Sequence, residues 1–143
     1  MNVTRKMFLN GLAAASMLAA VAMIGVPTAS AAKAAGIRLR AKLTGPAIGT
    51  VTPSGEAEFK ANVARGTSSL EVEIEHVSLP AGTILTVVVT HAAVPKTVGT
   101  IKLKAGENEL ELESQEGDVV PAVVAGDTIS VLNGAATVLT GAF

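Results

Sequence analysis

The stretch LEVEIEH, residues 70–76, alternates strictly between apolar and charged side chains before it ends in a histidine. Successive side chains of a β-strand point to opposite faces of a sheet, so Leu70, Val72 and Ile74 share one face and the three glutamates share the other. The glutamates then form a row with a spacing of roughly 6.6–7 Å, because a strand rises about 3.3–3.4 Å per residue. We predict a half-buried strand whose glutamate face meets solvent.

A metal or acid–base site is the alternative interpretation of Glu71, Glu73 and Glu75. A zinc ion needs three or four ligands that converge on one point, with imidazole or carboxylate atoms at about 2.0–2.2 Å. A single strand supplies a row instead of a point, and strand parity puts His76 on the apolar face unless the chain bends before Val77. We therefore interpret the glutamate row as a solvated face.

The same alternation extends over the two runs that precede this stretch. IRLRAKLT, residues 37–44, places its Ile, Leu and Ala side chains on one face and its Arg and Lys side chains on the other. GEAEFKANV, residues 55–63, alternates in the same way, with its glutamates and lysine outward. The residues of this second run that we predict to face the core are Ala57, Phe59, Ala61 and Val63.

The run TILTVVVTH, residues 83–91, differs because both of its parities are apolar or threonine from Ile84 to Val89. Such a run predicts a central strand that is covered on both faces. Turn signals separate these runs at intervals of roughly 8–12 residues, which is typical of antiparallel sandwiches. We predict an all-β fold, one antiparallel immunoglobulin-like β-sandwich of about seven to eight strands over residues 37–143, after a short flexible lead-in at 32–36.

The first 31 residues have the layout of a secretory signal peptide. Arg5 and Lys6 precede an apolar, alanine-rich run over residues 7–26 that we expect to be helical, and a proline and the small residues ASA follow it. We predict cleavage after Ala31 or one residue later, and a secreted or periplasmic mature chain with no membrane attachment. An uncleaved anchor is the alternative, since the run approaches the roughly 20 residues of a spanning helix.

Composition excludes several classes of partner. The chain has 11 Lys and Arg against 12 Asp and Glu, and loss of Arg5 and Lys6 with the signal peptide takes the formal charge from −1 to −3. Phosphate binding requires a basic patch, so we expect no nucleic-acid partner. Only Phe59 and Phe143 remain as aromatic residues of the predicted mature chain, which argues against stacking on bases, sugars or amines. Cysteine is absent, so apolar burial must hold the domain together.

No known catalytic motif occurs in the chain. Neither histidine belongs to a nucleophile motif, and the glycines near 99, 106 and 126 do not open a helix as phosphate-binding loops do. We predict that the chain is not an enzyme and that it has no catalytic, cofactor-binding or metal-binding residues. The predicted function is an exported, non-enzymatic binding or structural module that acts on an unknown protein or envelope component.

Two alternative functions stay open. The first is a metal-binding periplasmic protein that uses His76 and His91 with nearby carboxylates, which requires both histidines to reach one ion. Asp118 and Asp127 are the candidate acids for such a site. The second is a subunit that polymerises by strand addition, which requires an exposed sheet edge without charge.

Two segments of the chain, 55–89 and 99–132, echo each other. The matched positions are Gly55 with Gly99, LEVE at 70–73 with LELE at 110–113, and Ala81-Gly82 with Ala125-Gly126. We predict an internal duplication of a three-stranded unit, with one flanking strand at either end, in which each copy buries the apolar face of the other. Asn133-Gly134 is predicted to form a tight type I′ hairpin turn that carries Phe143 back toward the core.

Several of these segments also resemble known proteins. The segments are LPAGTILTVVV at 79–89, VGTIKL at 98–103, LELES at 110–114, GDVVPAVVAGD at 117–127 and the terminal GAF, together with the early LTG at 43–45. This series resembles a set of small secreted bacterial proteins of unknown function and, more distantly, the chordin-type (CHRD) domain. The resemblance covers most of residues 43–143 and implies a β-sandwich. It rests on glycines, prolines and strand residues, and it implies no catalytic or ligand-binding residues.

Overall fold

The computed structural model describes residues 36–143, which form eight β-strands and one short 3-10 turn. The strands are β1 (Ile37–Thr44), β2 (Ser54–Asn62), β3 (Thr67–Glu75), β4 (Ile84–His91), β5 (Val94–Lys102), β6 (Asn108–Glu113), β7 (Thr128–Asn133) and β8 (Ala136–Ala142), and the 3-10 turn is Ser114–Glu116. Within this part of the chain no helix is long and apolar enough to cross a bilayer. The predicted signal peptide and all of the lead-in except Gly36 lie outside the described residues.

The strands pair antiparallel in one order, β5-β4-β7-β8-β1-β2-β3-β6. Most neighbours share long ladders, but β1 and β8 are joined through a single register pair, Thr44 opposite Thr140. The first and last strands, β5 and β6, lie beside each other without a ladder. The sheet is therefore nearly closed, and the predicted all-β antiparallel fold of about seven to eight strands is confirmed at this level.

The alternating stretch at residues 70–75 lies in β3, and its predicted faces are confirmed. Leu70 and Val72 are fully buried, Ile74 is 1% exposed, and the glutamates between them point outward. The prediction for Val63 is wrong: its side chain is 65% exposed. The reason is that β2 ends at Asn62, where the chain turns back toward β3, and the alternation of β2 stops with the strand.

The prediction of a doubly covered strand at residues 84–89 is wrong as well. Leu85, Val87 and Val89 of β4 are buried, but Ile84 is 59% exposed, and Thr86 and Val88 on the same outward face are half-buried. This outward face continues onto β7, where Ser130 lies opposite Val88. Threonine and valine tolerate either side of a pleated sheet, so hydropathy alone does not separate a covered face from a neutral face toward solvent.

The predicted internal echo has a structural counterpart in two hairpins, β4–β5 and β7–β8. The Gly82 N–H donates to Leu103 O at 2.8 Å, and the Gly126 N–H donates to Phe143 O at the same distance. The return bonds also match, from Leu103 N–H to Thr83 O at 2.8 Å and from Phe143 N–H to Asp127 O at 2.9 Å. The turns at 81–82 and 125–126 therefore dock in the same way, as the duplication predicts. The predicted three-stranded units are wrong, because β2 forms a ladder with β3 whereas the corresponding strands β5 and β6 share none.

The two hairpins also carry a bulge at matched positions, between Val87 and Val88 in one and between Val131 and Leu132 in the other. The predicted hairpin after β7 is confirmed, but its central residues are Gly134 and Ala135, and only Gly134 has a positive φ, 59°. That pattern belongs to a type II′ turn and not to the predicted type I′ turn.

Candidate functional site

One outer surface of the sheet, which we call the charged face, is built by the outward side chains of β1, β2, β3 and β6. Cross-strand register places these residues side by side, with Arg40 opposite Glu58, Glu58 opposite Glu71, and Glu71 opposite Glu111. The members of the charged face are Arg38, Arg40, Lys42, Glu56, Glu58, Lys60, Glu71, Glu73, Glu75, Glu109, Glu111 and Glu113. Basic residues lie mainly on β1, and acidic residues fill β3 and β6.

The basic side chains are largely engaged by Glu58, in the middle of the charged face. Arg38 forms an ion pair with Glu58, Arg40 Nη2 lies 3.6 Å from its Oε2, and Lys60 Nζ lies 3.5 Å from the same oxygen. The hydrogen bond from Arg38, with the charges of Lys60 and Arg40, lowers the pKa of Glu58 below its usual value. The charges of the two arginines of β1 are thus balanced on β2, and Lys60 of β2 also lies 3.9 Å from Glu71 of β3.

The acidic side chains of β3 and β6 lie directly opposite one another. Glu71 pairs with Glu111, and Glu73 pairs with Glu109. Desolvation raises the pKa of Glu73, helped by the neighbouring carboxylates of Glu71 and Glu109. The charge of Glu113 is the main cause of a raised pKa at Glu111. Like charges opposite each other destabilise a sheet, so this arrangement opposes folding.

Three of these carboxylates converge more closely than one strand permits. Oxygen atoms of Glu71, Glu73 and Glu109 all lie within 4.8 Å of one another, and within residues 36–143 no other trio of acidic, histidine or cysteine side chains comes together in this way. The prediction that the glutamates face outward is confirmed, but the single row is part of a two-strand array. The second copy of the row, ELELES, was visible in the sequence, whereas its pairing with the first was not.

His76 lies outside this array because the chain bends at the histidine itself. Its φ of 56° is left-handed, and its side chain is 65% exposed instead of facing the core. Ser54 Oγ lies 3.2 Å from His76 Nδ1, and Glu75 Oε2 lies 3.9 Å from the same nitrogen. A serine–histidine–acid triad uses the two ring nitrogens for two different partners, so these three residues do not have that geometry.

His91 has a different set of partners at the end of β4. Its Nδ1 lies 2.7 Å from Oδ1 of Asp127, whose side chain is 5% exposed. Asp118, the other candidate acid, accepts the Glu113 N–H at 3.1 Å and contacts neither histidine. Of the candidate residues of the alternative metal site, the structure therefore brings together His91 and Asp127, and it gives His76 separate partners.

Comparisons of the chain with protein-family models, curated proteins and solved structures gave no match. The candidate sites consequently rest on the geometry of the charged face and of the His91–Asp127 pair.

Proposed function

We propose that the chain is an exported, non-enzymatic binding module and that the charged face binds a protein or envelope component with positive groups. One observation carries this proposal: the glutamates of β3 and β6 stand side by side in register, while the two arginines of β1 pair with Glu56 and Glu58 on β2. Lys60 approaches one of the glutamates of β3, Glu71, at 3.9 Å. A solvated strand face needs alternating polarity only, and it does not need two like-charged rows next to each other.

The spacing of the carboxylates indicates the kind of partner. Directly opposite side chains lie about 4.5–5.5 Å apart across strands, and alternate ones about 6.6–7 Å apart along a strand. An extended segment has the same spacing of about 6.6–7 Å between its own alternate side chains. Lys or Arg at alternate positions of such a segment would meet successive glutamates of β3 and relieve their mutual repulsion.

A pull-down from the native envelope fraction tests the binding proposal. The bait is the mature chain, and the variant Glu73→Gln/Glu109→Gln removes two charges from the array. Glu116→Gln/Asp118→Asn removes the same charge just beyond β6 and is the matched control. We expect the first variant to lose a captured component that the control retains, and capture to weaken with salt as ion pairs are screened. Equal capture by all three baits contradicts the proposal.

The export proposal rests on the layout of residues 1–31 and has its own test. Intact-mass measurement of the exported protein is expected to give a chain that starts at Ala32 or Lys33. A membrane-bound chain that retains Met1 would overturn the secretory proposal and leave the proposal for the charged face to be tested separately.

We also propose that the sheet forms an immunoglobulin-like sandwich related to the CHRD-like secreted proteins. The support is the near-separation of the sheet into two four-stranded halves, β5-β4-β7-β8 and β1-β2-β3-β6, which share one register pair. Both halves contribute fully buried side chains to one core, such as Leu70 from β3 and Ile129 from β7. Two antiparallel sheets packed face to face over a common core define a sandwich.

The alternative proposal is metal binding through His76 and His91 with nearby carboxylates. The contact between His91 and Asp127 supports it, whereas the different partners of His76 give no support. Calorimetric titration of the mature chain with zinc tests whether the two histidines share one ion. If they do, His76→Gln and His91→Gln must each abolish the same binding event. Loss on only one substitution excludes the shared site.

Polymerisation by strand addition has weaker support than binding through the charged face or metal binding. The two strands that lack a ladder on one side, β5 and β6, carry Pro95, Lys96 and Lys102 on one and Glu109, Glu111 and Glu113 on the other. Proline and charge on edge strands are the features with which native sheets prevent pairing with further strands.

A further inference from the structure

The outward side of β5, β4, β7 and β8 carries a regular array of hydroxyl groups, which we call the hydroxyl face. Register aligns its twelve positions in three rows across the four strands. They are positions 86, 88 and 90 of β4 and 128, 130 and 132 of β7, with their partners at 95, 97 and 100 of β5 and at 137, 140 and 142 of β8. Seven of the twelve residues are threonine and one is serine, and none of the twelve is buried.

The hydroxyl face is uncharged, in contrast to the charged face of the same domain. Its other four positions hold one residue each of Pro, Val, Leu and Ala. The two lysines of β5 lie outside the array, Lys102 beyond its first row and Lys96 opposite the buried Val89. Strand propensity alone does not explain this separation, because β1, β2, β3 and β6 use their outward positions for twelve charged residues.

The geometry of the strands fixes where the hydroxyl groups lie. Neighbouring strands are about 4.7–4.9 Å apart, and alternate residues of one strand are about 6.6–7 Å apart. Threonine is β-branched, so its side chain has few χ1 rotamers and its hydroxyl and methyl groups keep set positions. In the middle row, Ser130 Oγ lies 3.0 Å from Thr140 Oγ1, which also donates to Ile129 O at 3.2 Å. The hydroxyl face is therefore a rigid lattice of neutral groups that both donate and accept hydrogen bonds.

We propose that the hydroxyl face adsorbs to the surface of an ice crystal. Water molecules in ice also donate and accept hydrogen bonds at fixed, repeating positions, so they match neutral hydroxyl groups held on a rigid lattice. A charged side chain would have to lose a strongly held hydration shell at such a contact, and the array contains none. The methyl groups between the hydroxyl groups release their own hydration water favourably. The proposal is independent of binding through the charged face, which lies on the other four strands.

Two other partners could fit a neutral, regular face, a second copy of the chain and a polysaccharide. Twelve positions at strand spacing cover roughly 400 Å², whereas a stable protein interface buries about 800 Å² on each partner. The array is thus too small for a stable dimer, while a crystal surface presents the same repeat wherever the protein meets it. A polysaccharide also offers hydroxyl groups, but the array has no aromatic ring to stack on a sugar.

Partitioning of the purified protein into a slowly grown ice crystal tests the proposal. We expect the wild type to be enriched in the ice relative to an inert reference such as albumin. Thr100→Lys/Thr128→Lys places two charges in the array and is expected to lose this enrichment. The matched control, Thr50→Lys/Thr52→Lys, makes the same change at two exposed threonines between β1 and β2 and is expected to keep it.

Urea unfolding establishes that each variant is folded. If Thr100→Lys/Thr128→Lys fails to fold, Thr97→Lys/Thr137→Lys repeats the change at two other exposed positions of the array. A wild type that partitions like albumin overturns the proposal, as does equal enrichment of the array and loop variants. Dimerisation in sedimentation, or retention on cellulose, that the array variant abolishes while ice enrichment is absent would assign the face to one of the other partners and overturn the proposal.

Discussion

Glu73 is the residue at which the charged face most directly opposes stability. Its pKa is raised by desolvation and by surrounding carboxylates, so the ionised form is disfavoured in the folded chain. We expect Glu73→Gln to stabilise the domain at neutral pH by no more than about 0.5 kcal/mol, the usual range of an exposed substitution. The pKa of Glu73 is higher in the folded chain than in the unfolded chain. The ionised carboxylate therefore does not destabilise the fold below the unfolded pKa, and its destabilising effect grows as pH rises through the folded pKa.

Urea unfolding of the wild type and Glu73→Gln at several pH values measures this difference. Val72→Ala is the control on the opposite face of β3, where removal of a fully buried side chain is expected to cost about 1–4 kcal/mol. A destabilising effect of Glu73→Gln at neutral pH would show that its carboxylate has a favourable partner in solution.

Asp127 is expected to depend on pH in the opposite direction. The Val124 N–H and His91 lower its pKa from the ordinary value of 3.8, so its ionised form stabilises the folded chain. This contribution is fully present above the unfolded pKa and is lost as pH falls through the folded pKa. When the free energy of unfolding is measured at decreasing pH, we expect the wild type to be more stable than Asp127→Ala at neutral pH. We expect this difference in stability to disappear below about pH 4. A constant difference between them across acid pH would contradict the lowered pKa.

At the level of elements, the turn between β4 and β5 is strained. Its central residues, Ala92 and Ala93, have φ values of 47° and 65°, which side chains with a Cβ adopt at a cost of roughly 1–2 kcal/mol each. Type I′ turns of this kind favour Asn-Gly. We expect Ala92→Asn/Ala93→Gly to raise the free energy of unfolding by about 1–2 kcal/mol, measured by urea denaturation.

Gly134→Ala is the matched control in the second hairpin. Gly134 has a φ of 59° in the equivalent turn, so a side chain there should lower stability where the Asn-Gly variant raises it. Unchanged stability of both variants would mean that neither turn keeps its left-handed conformation in solution.

Alternation predicted the strands well wherever one face is apolar and the other charged, as in β1 and β3. It failed at β4, because threonine and valine on an outward face look the same in sequence as a covered face. The glutamate cluster on β3 and β6 could be predicted only in part from the sequence, for a related reason. Strand parity shows that Glu71 and Glu73 point outward, but parity carries no information about which distant strand pairs with β3. That register, Glu71 opposite Glu111, turns a row into an array.

The two histidines of the alternative metal site show the same limit at the scale of the whole molecule. His76 and His91 were the only histidines to consider, and the sequence placed each near the end of a strand. The bend at His76 and the pairing of β4 with β7 then decide their partners. Sequence reasoning named Asp127 as a candidate acid, whereas its contact with His91 depends on that strand pairing.

The sheet formed by residues 36–143 has two seams between its four-stranded halves. β1 and β8 share one register pair, and β5 and β6 share none. Side chains and close backbone contact hold the seams: a Cβ on Gly99 would lie 2.7 Å from Leu110 Cδ2, and one on Gly141 would touch Lys42 O. Backbone groups at a seam lack the ladder bonds that protect the centre of a sheet from local opening.

We therefore expect seam amides to exchange with solvent faster than the amides shared by β2 and β3 or by β4 and β7. Native-state hydrogen exchange followed by NMR measures all four boundaries in one sample, so the two long ladders serve as internal controls. Gly141→Ala should speed exchange at the β1–β8 seam, because the added methyl group would force the two strands apart, and should leave the β2–β3 boundary unchanged. Equal protection at the seams and the ladders would show that the sheet closes through continuous hydrogen bonding, and the two halves would then not behave as separate layers.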